Sequence, residues 1–268
     1  KGIKHKIFIH RLRYFTPFII IGFFYYQIIA APLTETFFLI NSTDIVSSLL
    51  FATIFELFVY ANFCGLSLIV YGSFGLLGFR VPLNFRQPFS SKNLIEFWRG
   101  WHTTLSAVLK ELFYKPIRSK HSSAVALVGV FLASAMWHGT SFNFFIWGLF
   151  HALMFVVTIF LLKHQIRFIP IILLVITIIL GRLLFADSDT ERLIEKLMFT
   201  FDDFNGFHEL SLIPNPSKMS ILLGTLLISI EFFFQNFKNV SKRNYKHLRS
   251  PIVLFILSAI TILFINNI

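Results

Sequence analysis

Cysteine and charge are both scarce in this chain, and each scarcity removes a class of protein. Cys64 is the only cysteine in 268 residues, so no disulfide forms within the chain and no thiolate cage holds a metal. It lies in an apolar run and reads as a packing residue. Charged residues amount to 14% against 56% hydrophobic ones, too few to clothe a soluble domain of this length. No series of about 10-residue alternating segments is present, which argues against an outer-membrane barrel. Internal repeats and low-complexity stretches are also missing. The basic start (Lys1, Lys4, Lys6, Arg11, Arg13) has no small-residue cleavage site after a short apolar core, so it does not read as a signal peptide. It reads as a loop entering the first span.

What is present is oil, including 36 phenylalanines. Apolar runs of the length that spans a bilayer as helix, roughly 17 to 25 residues, occupy 15–31, 142–162, 168–186, 219–235 and 251–265, with a shorter one at 124–137. The run 45–79 is too long for one upright span. It is either a steeply tilted, glycine-broken helix or a span followed by a re-entrant piece. Helices are the spanning option that remains. The expected fold is all-α: a polytopic integral membrane protein, a single membrane domain over 1–268, with tilted transmembrane helices and re-entrant or interfacial helices.

The formal charge of +11 raises the question of nucleic acid, but lysine and arginine sit in short loops between apolar spans. That is the positive-inside pattern, and no nucleic-acid partner is expected. With the basic start cytoplasmic, the first span carries Glu35 and Asp44 outward, and the run 45–79 returns to a loop holding Arg80, Arg86, Lys92, Arg99, Lys110, Lys115, Arg118 and Lys120. Lys163 and Arg167, then Lys238, Lys242, Arg243, Lys246 and Arg249, fall on the same side. Segment 187–218 holds Asp187, Asp189, Glu191, Glu195, Asp202, Asp203 and Glu209, and belongs outside as an extracytoplasmic acidic loop before the C-terminal spans of 219–268.

Chemistry concentrates between residues 97 and 151. FWRGWH (97–102), MWHG (136–139) and WGLFH (147–151) place His102, His138 and His151 in apolar sequence, each within four residues of a tryptophan. Ionisable groups at membrane depth are costly and commonly functional. A desolvated imidazole stays neutral, keeps one basic nitrogen, and is suited to take a proton from a hydroxyl during acyl transfer. A lone histidine that only bridges helices is the competing explanation. MWHG favours the functional one for His138, because Gly139, Thr140 and Ser141 end the short span there and let the ring face a polar cavity. Within loop 80–121, a helix beginning near Leu94 puts Trp98, Trp101, His102 and Leu105 on one face. Spacings of 36 and 13 residues match no local metal-ligand pattern, so no metal is expected. Glu56, Arg182 and Glu231 also lie in apolar runs. Glu231 reads as snorkelling towards the basic loop, and nothing local selects a partner for Glu56.

FWRGWHTTLSAVLKELFYKPI (97–117), SAMWHGTSFNFFIWGLFHAL (134–153) and GLLGFRVPLNFRQPF (75–89) resemble the membrane-bound O-acyltransferases over about 15–186. The likeness is to the bacterial branch with the alginate O-acetyltransferase membrane subunit and the teichoic acid D-alanyl transferase. The resemblance implies helices around a central tunnel in which a cytoplasmic acyl thioester meets an external hydroxyl. It implies catalytic roles for His138 and His102. His151, Trp101, Trp137, Lys110, Glu111 and Tyr114 match positions that shape or support the tunnel. Leu68 stands where the branch has an aspartate, and Arg182 and Ala186 where it has tryptophan and arginine. Spans expected before residue 15 are missing, as for the C-terminal part of a longer chain.

The resulting expectation is an O-acyltransferase of the bacterial plasma membrane. It would use an acyl thioester, acetyl-CoA foremost, with no bound cofactor, and would act on an envelope or exocellular polysaccharide directly or through a secreted acetyltransferase partner. D-alanyl transfer from a carrier protein to teichoic acid, a non-enzymatic membrane transporter and an inactive acyltransferase fragment stay open beside it.

Overall fold

The computed structural model describes residues 2–40, 44–166, 168–186, 190–198, 206–233 and 243–265. Among these the architecture is helical throughout, with no strand. Among the described residues five helices are long and apolar enough to cross a membrane: Phe8–Leu39, Ile45–Leu77, Phe142–Lys163, Ile169–Ala186 and Asn215–Phe233. The chain is an integral membrane protein.

Helix α1 (Gly2–Phe23) runs on through a π-helical stretch, Phe24–Ala30, and a final turn, Ala31–Leu33. From Gly2 on the basic start is therefore helical, not a loop, Lys1 lying outside the described residues; nothing in its sequence breaks a helix before Pro17, which the helix absorbs. Helix α2 (Ile45–Leu77) is unbroken over 33 residues, about 50 Å at 1.5 Å per residue. That length exceeds the hydrocarbon core and calls for a steep tilt. The expected glycine break does not occur, because Gly65, Gly72 and Gly75 serve packing. A Cβ on Gly22 would lie 2.6 Å from the Gly65 carbonyl oxygen, so α1 and α2 touch backbone to backbone there. Asp44 caps the start of α2 by accepting from the Val46 and Ser47 amides at 2.9 and 3.1 Å. Gly78 ends it at φ 97°.

Short helices α3 (Leu94–Gly100) and α4 (Thr103–Leu109, continued by Lys110–Tyr114 and Lys115–Arg118) precede α5 (Ser123–His138), α6 (Phe142–Lys163) and α7 (Ile169–Ala186). Helices α8 (Thr190–Met198), α9 (Gly206–Leu212), α10 (Asn215–Phe233) and α11 (Pro251–Ile265) complete the chain. Asp187, Asp189, Asp202 and Asp203 of the acidic segment lie outside the described residues, as do Arg167, Lys238 and Lys242.

Buried polar groups bind the bundle from within. Glu231 is 1% exposed and accepts from Tyr60 Oη at 2.6 Å and Tyr25 Oη at 3.3 Å, so it does not snorkel. Tyr25, from the π-helical stretch after α1, and Tyr60, from α2, both donate to its Oε1, and its own helix carries it inward. Cys64 Sγ lies 3.1 Å from Tyr245 Oη beside this cluster. Burial, reinforced by nearby Cys64 and Glu231, drives the Tyr245 hydroxyl well above its ordinary pKa, so it stays protonated.

Candidate functional site

The turn after α3 creates the first site element. Gly100 ends that helix, Trp101 is extended, and His102 sits in the left-handed region at φ 46° and ψ 53°. The continuous helical face expected over Trp98, Trp101, His102 and Leu105 is therefore broken. A long-range clasp breaks it. Thr103 N donates to Asn84 O at 2.8 Å, Thr104 N and Oγ1 both donate to Asn84 Oδ1, and Arg86 N donates to Gly100 O at 2.8 Å. These bonds hold a side-chain-bearing residue in a conformation that costs about 1–2 kcal/mol. The kink turns the His102 ring onto Trp137, edge to face at 5.7 Å.

The second element is the end of α5. Gly139, at φ 157° and ψ 177°, occupies a region essentially reserved to glycine, so the helix stops at His138 as the sequence indicates. Asn143, buried at the start of α6, donates Nδ2 to the carbonyls of Leu184 and Phe185, both at 3.3 Å. The α6 start is thereby tied to the α7 end, and Phe185 is set edge-on to the His138 ring at 4.8 Å.

Between these elements lies a cavity of about 530 Å³, the size of a small-molecule site. His102, His138, Trp101, Trp137, Lys110 and Tyr114 line it, together with Trp98, Leu105, Phe131 and Arg182. Its wall is mostly apolar. Burial holds the His102 imidazole below its ordinary 6.5, so the ring is neutral at physiological pH, and its Nδ1 is buried without a partner. His138 is half-buried and its ring makes no hydrogen bond among the described residues. Both rings border the cavity, and no side-chain hydrogen bond within the described residues engages either of them.

His151 and Glu111 are placed elsewhere. His151 is 4% exposed behind the wall, packed on Gly181 and 4.5 Å from the Trp147 ring. Its Nδ1–H donates to the Trp147 carbonyl at 2.9 Å, so the ring locks the α6–α7 contact. Glu111 turns outward into an exposed pair with Lys115 at 2.6 Å. No group of three or more potential metal ligands occurs among the described residues. Sequence reasoning missed the partner of Glu56: Arg182 Nε donates to Glu56 Oε2 inside the wall. The only available signal was two opposite charges in separate apolar runs.

An apolar chamber with two unengaged imidazoles suits proton transfer on a substrate shielded from water. Comparison with known proteins agrees with that chemistry. The profile of MBOAT, the membrane-bound O-acyltransferase family, matches residues 6–182. A peptidoglycan O-acetyltransferase of Helicobacter pylori is 35% identical over 99 residues, 35% of this chain and 19% of that protein. A teichoic acid D-alanyltransferase of Bacillus subtilis is 30% identical over 152 residues, 51% of this chain and 38% of that protein. A probable alginate O-acetylase of Azotobacter vinelandii is 30% identical over 125 residues, 45% and 25% respectively. The matched part of the chain thus spans well under half the length of each of these relatives.

Proposed function

The chain belongs to the membrane-bound O-acyltransferase family, and on that premise we propose that it moves an acyl group, acetyl first among candidates, from a cytoplasmic thioester to a hydroxyl of an envelope polysaccharide. The acceptor is either the polymer itself or a partner protein that finishes the transfer. The seat is the plasma membrane of a bacterium, with the basic loops on the cytoplasmic side. The observation that carries the reading is that His138 and His102, 36 residues apart, border one largely apolar cavity.

In this mechanism a nitrogen of His138 takes the acceptor hydroxyl proton as the oxygen attacks the thioester carbonyl carbon. The C–O bond forms, the C–S bond breaks, and the proton passes to the departing thiolate. His102, neutral and held in its kinked turn, orients or polarises the thioester. Trp101, Trp137, Lys110 and Tyr114 shape the chamber, and His151 supports it from behind. Removing a positioned base costs about 10²–10⁴ in rate. His138→Ala therefore leaves the protein in the membrane and abolishes detectable base-labile acyl groups on the envelope; wild-type levels in that variant refute the role.

D-alanyl transfer is the second reading, because the match to the teichoic acid D-alanyltransferase is the longest of the three above. Membranes offered labelled acetyl-CoA or a D-alanyl-loaded carrier protein separate the two, and label passing from the carrier alone overturns the acetyl assignment.

A further inference from the structure

The cavity wall contains an ion pair that neither histidine needs for its position. Glu56 on α2 is 6% exposed, Arg182 on α7 is 8% exposed, and Arg182 Nε donates to Glu56 Oε2. The guanidinium carbon sits 5.0 Å from the centroid of the Trp101 ring, a cation–π contact that holds the group against that ring. A buried ion pair is weak cause for stability, and apolar residues of the same volume often serve a fold as well or better. Helix adhesion alone does not call for two charges here.

The unused atoms suggest what the pair is for. Nε is the only side-chain nitrogen of Arg182 with a hydrogen-bond partner among the described residues. Neither Nη group has a hydrogen-bond partner among the described residues, and Arg182 lines the cavity. Phe185, one turn further along α7, packs against the His138 ring at 4.8 Å, so Arg182 and His138 border the same part of the chamber. Glu56 already balances the guanidinium charge. The pair therefore has little call for a resident anion, yet it keeps N–H donors aimed where negative charge appears briefly.

We propose that Arg182 is a catalytic residue of the acyl transfer, its Nη–H groups donating to the thioester carbonyl oxygen as that oxygen becomes the oxyanion of the tetrahedral intermediate, with Glu56 as the positioning residue. The inference rests on the acyl-transfer reading above. In the step, the acceptor oxygen bonds to the carbonyl carbon, its proton goes to His138, and the carbonyl π pair moves onto the oxygen facing Arg182. Collapse returns that pair, expels the thiolate, and hands it the proton held by His138. Arg182 gains and loses no proton.

The test compares Glu56→Gln, Arg182→Gln, the double variant Glu56→Gln/Arg182→Gln, Arg182→Lys and His138→Ala. All are made in the full-length protein in native membranes. Membrane level and base-releasable envelope acyl are measured for each, with kcat and KM for the thioester that labels the wild type. Arg182→Gln strands a buried carboxylate and lowers the membrane level; the double variant, neutral at both positions, restores it. If Arg182 serves the oxyanion, kcat of the double variant stays down by about 10²–10³ with KM little changed, the loss typical of one oxyanion donor. A purely structural pair predicts wild-type kcat in the double variant, and that result overturns the proposal. Should the double variant not accumulate, Arg182→Lys decides: it keeps the charge and loses the fork, so kcat falls at unchanged KM, whereas a raised KM with intact kcat overturns the role. Full activity in His138→Ala, or a wild type that yields no base-labile acyl, sinks the inference together with the reading beneath it.

Discussion

Alanine at position 22 puts a carbon where the structure has no room for one. The added Cβ would lie 2.6 Å from the Gly65 carbonyl oxygen and 2.9 Å from the Ile69 amide nitrogen, both backbone atoms that cannot rotate away. Ordinary contact begins at 3.4 Å, so α1 and α2 must part by about 0.8 Å at this crossing. A gap of that size forfeits a quarter to a half of each dispersion contact it opens, and overpacking of this kind costs about 1–3 kcal/mol. Gly129→Ala is the matched control, because the Cβ there meets only the tip of the Ile117 side chain at 2.5 Å, which can swing aside. Both variants gain about 1 kcal/mol of helix propensity, so the difference between them isolates the steric cost. Thermal unfolding in detergent, followed by loss of the monodisperse chromatographic peak, should place Gly22→Ala below Gly129→Ala by several degrees, at about 2–4 °C per kcal/mol. Because α2 also carries Val59 and Phe63 of the cavity wall, acylation should fall with it. Equal melting of the two variants would mean that the backbone contact between α1 and α2 is not a constraint, and would refute the reasoning.

Three further outcomes are expected. Burial lowers the folded-state pKa of His102 below 6.5, so the unfolded chain takes up that proton first as pH falls; activity that needs the neutral ring stays level from pH 8 to about 6.5 and drops only below, and an acid limb with its midpoint above 6.5 contradicts this. Tyr60→Phe removes the 2.6 Å donor to buried Glu231, whose Oε2 already lacks a partner, and should cost on the order of 1–3 kcal/mol in thermal unfolding, while Tyr60→Phe/Glu231→Leu recovers part of that loss. Asn143→Ala leaves the Leu184 and Phe185 carbonyls without their donor and loosens the contact of Phe185 with His138; activity should fall more steeply than membrane abundance, and a proportional fall of both speaks against a positioning effect.

The membrane class, the helical fold and most of the spans could be read directly from the order of the residues, because a run of apolar side chains long enough to cross a bilayer admits one hydrogen-bonding solution whatever packs beside it. The stop at His138 was equally legible, since Gly139 is a local instruction to the backbone. The helical spacing around His102 points to the right residue but not to the right geometry. Its presence in the chamber comes not from a helical face but from a turn clasped by Asn84 from another part of the chain. Partners brought in from far along the chain could not be read at all: Arg182 meets Glu56 across 126 positions and Tyr60 meets Glu231 across 171. A buried charge announces that it needs a partner, but which residue answers depends on which helices cross and at what height. Those crossings are set by side-chain volumes and close backbone approaches such as Gly22 on Gly65, which act only once the helices have packed.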